Sequence, residues 1–505
     1  MPDINILHID HTYIKITSDD PGKLMQLSET LTFSIPNAKF HPKVRARIWD
    51  GKIRLFNLKT RSVYKGLLKD ILRFSADNNY SVGIDEALSK DILPETSIED
   101  TAKYFNSLNP QYKGEHLKPY DHQIVALNHA MNNKRALMLS PTASGKSLVI
   151  YGLMRWLQKE NCKKIMLVVP SVSLVYQMEN DLSEYSKNDS SWNAEENIHK
   201  IFEGQCKTTD KPIVITTWQS VYNQPKEFFE EYDAVIVDEA HQLKAESIKG
   251  ILEKCSNSAF RYGLTGTLDG TKTNKMIIEG LTGPVFKVTS TRELMDKKLI
   301  SDFSIRCIVL DYSKESRKFC KDFKYHEELE YLVGHKKRNS FIAGLAMCLK
   351  GNTLILYQYV EKHGEILFEL ISKKCEGTNR KVFFISGDVE AEVREEIRNI
   401  VEAENDAIIV ASFGTFSTGI SLRRLHGIIF ASPSKSRVRV LQSIGRQLRL
   451  AKNKGSAVLY DISDNLKHKS KANYTLNHFL ERLKIYDQEK FDYTINNIDL
   501  EPGEK

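Results

Sequence analysis

From about Ala136 onward, short apolar runs rich in β-branched residues alternate with longer amphipathic stretches. The runs ALMLS, KIMLVVP, PIVITT, DAVIVDE and RYGLTGT fall between Ala136 and Thr267. Runs this short, separated by helix-period segments, predict parallel strands joined by crossover helices. A less regular stretch from about Phe286 to Gly351 follows, and then TLILY, KVFFISG, AIIVAS, GIIFAS and AVLYDIS restore the pattern. The first 110 or so residues differ, with a strand-like KIRLFNL after an Asp50-Gly51 turn and a helix-like KGLLKDILRFSADNN. The predicted fold is therefore α/β: two tandem parallel-sheet domains preceded by a small α+β domain. No repeat of solenoid length and no low-complexity tract interrupts it.

Composition changes this picture little. With 505 residues, 41% hydrophobic and 27% charged, the chain exceeds one hydrophobic core and suits roughly three domains. No apolar run approaches the roughly 20 residues that span a bilayer, and MPDINILHIDHTYIKITSDD lacks a secretion-signal layout. The expectation is a cytoplasmic protein without a membrane partner, in the host cytoplasm if viral. Seven scattered cysteines with no Cys-x-x-Cys pair argue against a zinc site.

Charge is more informative. The net +7 is concentrated: between Lys39 and Arg73 many lysines and arginines face only Asp50 and Asp70, and a second cationic stretch runs from Arg423 to Lys490.

SPTASGKSL, Ser140 to Leu148, carries the first candidate chemistry. A bare Gly-Lys-Ser/Thr is expected about 0.2 times by chance in such a chain, so context must decide. Here the tripeptide follows the ALMLS strand and opens a helix, where backbone N–H groups and the helix N-terminus cradle phosphate. Thr142, Ala143, Ser144 and Gly145 would form the loop, Lys146 would reach the β and γ phosphates, and Ser147 would ligate Mg²⁺. AVIVDEAH adds Asp238 and Glu239 at the C-terminal end of a strand, the edge where open α/β sheets bind ligands. Asp238 is placed to hold Mg²⁺ through water and Glu239 to activate the attacking water. An acidic helix start favoured by the dipole is the plainer alternative for these two acids.

Together, PTASGKS, DEAH and TGT resemble motifs I, II and III of superfamily 2 helicases, and with them the two sheets become RecA-like motor domains. Serine at 140 is a tolerated departure from that pattern, and Ala143, where many members have glycine, a smaller one. The resemblance implies ATP and Mg²⁺ as cofactors and coupling roles for His241, Thr265, Gly266 and Thr267. LKPYDHQ resembles the adenine-recognition element, with Tyr120 to stack and Gln123 to hydrogen-bond the base. VVPSVSLVYQ and TTWQS match backbone-contacting elements, implying DNA contacts for Pro170, Ser171, Thr217 and Gln219. GTFSTGISL resembles motif V, with Thr418 on the strand and Gly419 at the nucleotide, and QSIGRQLR resembles motif VI, with Gln442 as a coupling residue. Arg446 and Arg449 share a helix face, and one of them would serve as an arginine finger. FFISGDVEAEVRE, through Ser386, Gly387 and Arg394, resembles a strand-gripping element of the second domain; its acids equally suit an exposed helical face.

The front segment FHPKVRARIWDGKIRLFNLKTRSVYKGLL joins basic residues to Trp49, Phe56 and Tyr64. Arg45, Arg47, Lys52 and Arg54 would neutralise phosphates and Trp49 would stack on a base or wedge a junction, although Trp49 and Phe56 equally suit a small domain's core. The whole layout resembles the UvsW helicases of tailed bacteriophages, including WDGKIRL, KRNSFIAGLA, STGIS and YDQEKFDY. This implies a helicase acting on branched or forked DNA in replication, recombination and repair: regressing forks, migrating junctions and removing RNA from R-loops. Further candidate partners are RNA–DNA hybrids, single-stranded-DNA-binding proteins and recombination proteins. An RNA-dependent ATPase and a non-catalytic nucleotide-binding scaffold are the competing readings. The expected domains are 1–110, a substrate-recognition domain and linker; 111–300, the ATP-binding motor domain; 301–350, a linker and start of the second motor domain; and 351–505, the C-terminal motor domain. The basic NLKHKSKANYTLNHFLERLK reads either as a DNA-binding element or as a solvated helix.

Overall fold

The computed structural model describes residues 2–35, 38–89, 93–202, 204–244, 246–268, 272–387, 389–415, 422, 424–432, 436, 440, 443–445 and 456–501. The chain divides into two compact units, one comprising Met1–Ser140 with Ser144–Val288, the other Pro141–Ala143 with Thr289–Lys505.

The first unit opens with a four-stranded sheet ordered Ser62–Tyr64, Tyr13–Thr17, Ile4–His8, Val82–Ile84. Its pairings are antiparallel except that Ile4–His8 and Val82–Ile84 run parallel. The period-2 alternation of a strand puts Ile4, Ile6, Ile14 and Ile16 into the core, where Leu24, Leu27, Ile71 and Phe74 of helices Pro21–Thr30 and Leu68–Asp77 cover them. The remainder builds a seven-stranded sheet ordered Ile198–Ile201, Ile213–Thr217, Ile165–Val169, Ala234–Asp238, Phe260–Thr265, Arg135–Leu139, Val285–Lys287. Every pairing is parallel. The five runs legible in the sequence are the five inner strands, apolar on both faces because helices cover both. Helix Ile98–Ser107, capped by Ser97, drops Phe105 into this sheet's core beside Leu127 and Leu153, although it falls within the first 110 residues.

The small sheet is seated on the large one through buried polar contacts. Arg261, fully buried at the start of strand Phe260–Thr265, donates to Thr12 Oγ1 at 2.6 Å, and also to the carbonyls of Cys255, Ser258 and Leu281. The Tyr13 and Tyr64 hydroxyls both donate to Glu253 Oε1, at 3.1 and 2.6 Å. Gly66 lies so close to the Glu279 and Gly280 carbonyls that any side chain there would collide with backbone. Residues of both sheets form one continuous apolar core.

The second unit holds another seven-stranded parallel sheet, ordered Val382–Ile385, Ile408–Ser412, Thr353–Tyr357, Gly427–Phe430, Ser456–Asn465, Asp302–Asp311, Asp492–Asp499. Asp302–Asp311 is an inner strand, paired on both sides, so this sheet begins well before residue 351. Two buried ion pairs brace it. Asp461 and Asp464, three apart on one strand, face opposite sides. Asp461 accepts from Arg482 at 2.7 and 2.8 Å and Asp464 from Arg338 at 2.8 and 3.0 Å, with all four side chains essentially inaccessible. Arg482 lies on helix Tyr474–Glu489 and Arg338 on helix Lys336–Cys348. The C-terminal basic segment is thus partly structural, with Arg482, Phe479 and Tyr486 buried. No helix among the described residues is long and apolar enough to cross a membrane.

Candidate ATP and nucleic-acid site

Five neighbouring strands of the first unit deliver the predicted groups to one sheet edge. Strand Arg135–Leu139 runs into the phosphate loop and then helix Lys146–Lys159. Two inflections make the loop. Gly145 has φ +78°, natural for glycine, whereas Ala143 has φ +70°, which costs a residue with a Cβ about 1–2 kcal/mol. Ser140 supports the loop from below: its N–H donates to the Thr265 carbonyl at 2.9 Å and its hydroxyl to Ser144 Oγ at 2.7 Å. Lys146 Nζ donates to the Ser140 carbonyl at 3.4 Å, and Ser147 Oγ is 2.8 Å from the Tyr185 hydroxyl. Thr142 lies in the turn between them, half-buried.

The adenine-recognition segment lies against the same loop. Gln123 is buried; its Nε2 donates to the Ser144 and Gly145 carbonyls at 3.1 and 3.4 Å, and its Oε1 accepts from the Tyr120 N–H at 2.9 Å. His122 Nε2 is 2.8 Å from the Ser144 carbonyl, and the exposed Tyr120 ring stacks on His122 at 5.7 Å. His122 and Tyr185 were not foreseen. His122 sits inside the quoted LKPYDHQ, whereas Tyr185, at the far end of helix Val172–Tyr185, has no local signal.

On the adjacent strands, Asp238 Oδ1 accepts from the Glu239 N–H at 2.9 Å, and Glu239 adopts a left-handed φ of +51°. Burial, and then the neighbouring Glu239 carboxylate, raise the Asp238 carboxyl above its ordinary value, while the Lys146 ammonium pulls it down. His241 Nδ1 lies 3.2 Å from Glu239 Oε2 and 3.1 Å from Thr265 Oγ1, and Thr265 Oγ1 donates to the Thr267 carbonyl at 2.9 Å. Motifs II and III are therefore one hydrogen-bonded network, with Gly266 between its members. Farther along the edge, Ser171 caps helix Val172–Tyr185 just after Pro170, Thr217 Oγ1 is 2.8 Å from Ser220 Oγ, and Gln219 is exposed.

These residues fit a nucleoside triphosphate with a divalent cation. The loop presents N–H groups at the start of a 14-residue helix with Lys146 beside them. Ser147 and Asp238 offer hard oxygen donors. Among the described residues no group of three or more His, Cys, Asp or Glu could hold a metal. Two protein oxygens are enough where phosphate and water complete the shell.

In the second unit Ser386 and Gly387 follow strand Val382–Ile385, and Ser412 Oγ lies 2.8 Å from Thr415 Oγ1. Thr418, Gly419, Gln442, Arg446 and Arg449, and the side chain of Arg394, lie outside the described residues. In the small domain Arg45, Arg47, Lys52 and Arg54 are exposed. Trp49 is half-buried, its Nε1 donating to the Lys52 carbonyl at 2.9 Å, and its ring is edge-on to His41. Phe56 and Tyr64 are core residues, buried with Leu55 and Val63 beside them. Among the exposed apolar residues of this domain, Phe40, beneath the Lys39 and Arg45 cations, and Ile48 lie in the basic segment.

The ATP-dependent DNA helicase uvsW of Enterobacteria phage T4 is 32% identical to this chain over 515 residues, covering 99% of this chain and 100% of the relative. The crystal structure of T4 UvsW matches with a TM-score of 0.52 at 30% identity, again over 99% and 100% of the two chains. Fold, site and similarity define an ATP-hydrolysing DNA helicase of superfamily 2 with two RecA-like sheets. Within that class, the chain belongs to the UvsW family. The family described as DNA helicase UvsW, N-terminal, is matched over residues 3–85, and that described as Type III restriction enzyme, res subunit, over 116–270. The DNA 3'-5' translocase XPB2 of Sulfurisphaera tokodaii is 24% identical over 46% of this chain and 48% of its own.

Proposed function

We propose that this helicase remodels branched DNA, regressing forks, migrating junctions and displacing RNA from R-loops, with Mg²⁺ as the metal. The observation carrying the proposal is the firm seating of a small domain with an exposed basic face on the unit that holds the phosphate loop. A motor that only tracks a strand has no need of a second cationic surface fixed to its ATP-binding sheet. Phosphate contacts from Arg45, Arg47, Lys52 and Arg54 would hold one arm of a junction while the motor draws on another.

In this reading Lys146 neutralises the β and γ phosphates, Ser147 and Asp238 hold Mg²⁺, which would offset phosphate charge, and Glu239 takes the proton of the attacking water. His241 with Thr265, Gly266 and Thr267 relays the state of Glu239, and Arg446 or Arg449 approaches the γ phosphate. Gln123 and Tyr120 frame the base, Gly419 and the Thr142–Ser144 turn line the nucleotide, and Gln442 couples it to the strand. Pro170, Ser171, Thr217, Gln219, Ser386, Gly387, Arg394 and Thr418 hold the translocated strand.

Steady-state ATPase is expected to rise most with forked DNA, less with linear duplex and least with structured RNA; stimulation by RNA alone would overturn the DNA reading. Glu239→Gln is expected to bind ATP normally while turnover falls about 10²–10⁴-fold. Wild-type turnover in that variant would remove Glu239 from its assigned role.

A further inference from the structure

The second unit carries a cationic surface outside the helicase motifs. It has two components, 314–324 and 467–471. They are brought together by sheet register: strands Asp302–Asp311 and Ser456–Asn465 pair in parallel with Asp311 opposite Asn465, so both segments leave the same sheet edge side by side. Asn465 Nδ2 donates to Asp311 Oδ1 at 2.6 Å, and Lys471 Nζ donates to the Lys321 carbonyl at 3.2 Å. Beneath them the buried Glu328 carboxylate accepts from Asn473 Nδ2 at 2.8 Å, from the N–H groups of Tyr474 and Thr475 at 2.9 and 2.7 Å, and from the Thr475 hydroxyl at 2.7 Å. That carboxylate fixes the start of helix Tyr474–Glu489 and with it the 467–471 loop.

The charges on this frame are unbalanced. Lys314, Lys318, Lys467 and Lys469 are exposed and make no ion pair among the described residues. The nearby acids are fewer than the cations: Asp311 is paired with Arg317 at 3.1 Å, Asp322 lies 3.7 Å from Lys321 and the buried Glu501 3.6 Å from Lys337, while Glu315, Glu327 and Asp499, opposite Asp311 in the sheet register, are exposed. Phe319 stands among these lysines two-thirds exposed, its ring held edge-on by Phe323 at 5.2 Å. A stability role would bury or pair such groups. Unpaired ammonium groups on a braced backbone around an exposed ring match a polyanion that also offers apolar sugar and base edges.

We infer that Lys314, Lys318, Phe319, Lys467 and Lys469 form a further DNA-backbone contact site on the second motor unit, at the C-terminal edge of its parallel sheet and outside the helicase motifs. The inference rests on the DNA reading above. It gives the second unit a sequence-independent hold of its own on a DNA arm.

Binding of a fluorescein-labelled forked duplex, followed by anisotropy from 50 to 300 mM KCl, tests it. The triple variant Lys318→Ala, Lys467→Ala, Lys469→Ala is expected to weaken binding several-fold and to lower the slope of log K against log salt by about 2.7, since each of the three lost phosphate contacts removes about 0.9. ATPase without DNA should be unchanged, which also reports intact folding. A charge-matched control, Lys163→Ala, Lys373→Ala, Lys374→Ala, on the segments that enter the strands, should keep the wild-type slope. Equal slopes for wild type and the first triple variant would overturn the site, as would equal losses in both variants, which would mean net charge alone. Absence of forked-DNA binding by wild type would instead overturn the branched-DNA reading.

Discussion

Ala143 and Glu239 hold left-handed backbone conformations, φ +70° and +51°, at the two points where the phosphate loop and the acidic motif turn off their strands. Such angles cost energy for residues with a Cβ and persist only where the surrounding structure holds them. Neither angle is legible from residue type, whereas the Gly-Lys-Ser and Asp-Glu-Ala-His spacings were. Elsewhere a single residue sets a pH limit. His363 is buried, with Nδ1 3.0 Å from Ser432 Oγ, and burial followed by the nearby Arg338 guanidinium lowers its imidazole to about 3 from 6.5. Between those values the unfolded chain binds a proton that the folded chain refuses, so this group's contribution to stability is complete above pH 6.5 and is lost as pH falls toward 3. The slope is at most about 1.4 kcal/mol per pH unit. Urea midpoints at pH 7 and 5.5 should show a drop in wild type that His363→Gln reduces.

At the scale of elements, strand Ser456–Asn465 is held to helices on both faces by opposed Asp–Arg pairs. Removing one member leaves an uncompensated buried charge, typically 3–5 kcal/mol. Arg482→Met should therefore lower the thermal midpoint of the second unit by several degrees, and adding Asp461→Leu should recover much of the loss; calorimetry of the three proteins checks both. These pairs show where sequence reading stops. AVLYDIS was legible as a strand from its apolar run, but nothing local marked Asp461 and Asp464 as buried; Arg338 falls in the less regular stretch, and the segment carrying Arg482 reads either as a DNA-binding element or as a solvated helix. Inner strand Asp302–Asp311 was hidden similarly, because DFSIRCIVLD mixes charge into its first half before turning apolar. The edge strand Val285–Lys287 was hidden by its three-residue length.

At the scale of the whole molecule, the tandem order of two parallel sheets behind a smaller domain was legible because the inner strands of the first sheet are short, largely apolar runs. The seat of the small domain was not, since it depends on Thr12, Glu253 and Arg261, which meet only after folding. Arg261→Met would leave the carbonyls of Ser258 and Leu281 without this donor, each costing about 1–3 kcal/mol if buried and unpaired. Faster amide hydrogen exchange is expected in strands Ile4–His8 and Tyr13–Thr17, with exchange in the second unit's sheet unchanged. Arg261 begins the same strand that Thr265 ends, about 13 Å away at strand rise. The front domain is therefore less a tethered hand than a blade forged onto the handle: wherever the ATP-gripping sheet turns, the basic face turns through the same angle, with no slack between them.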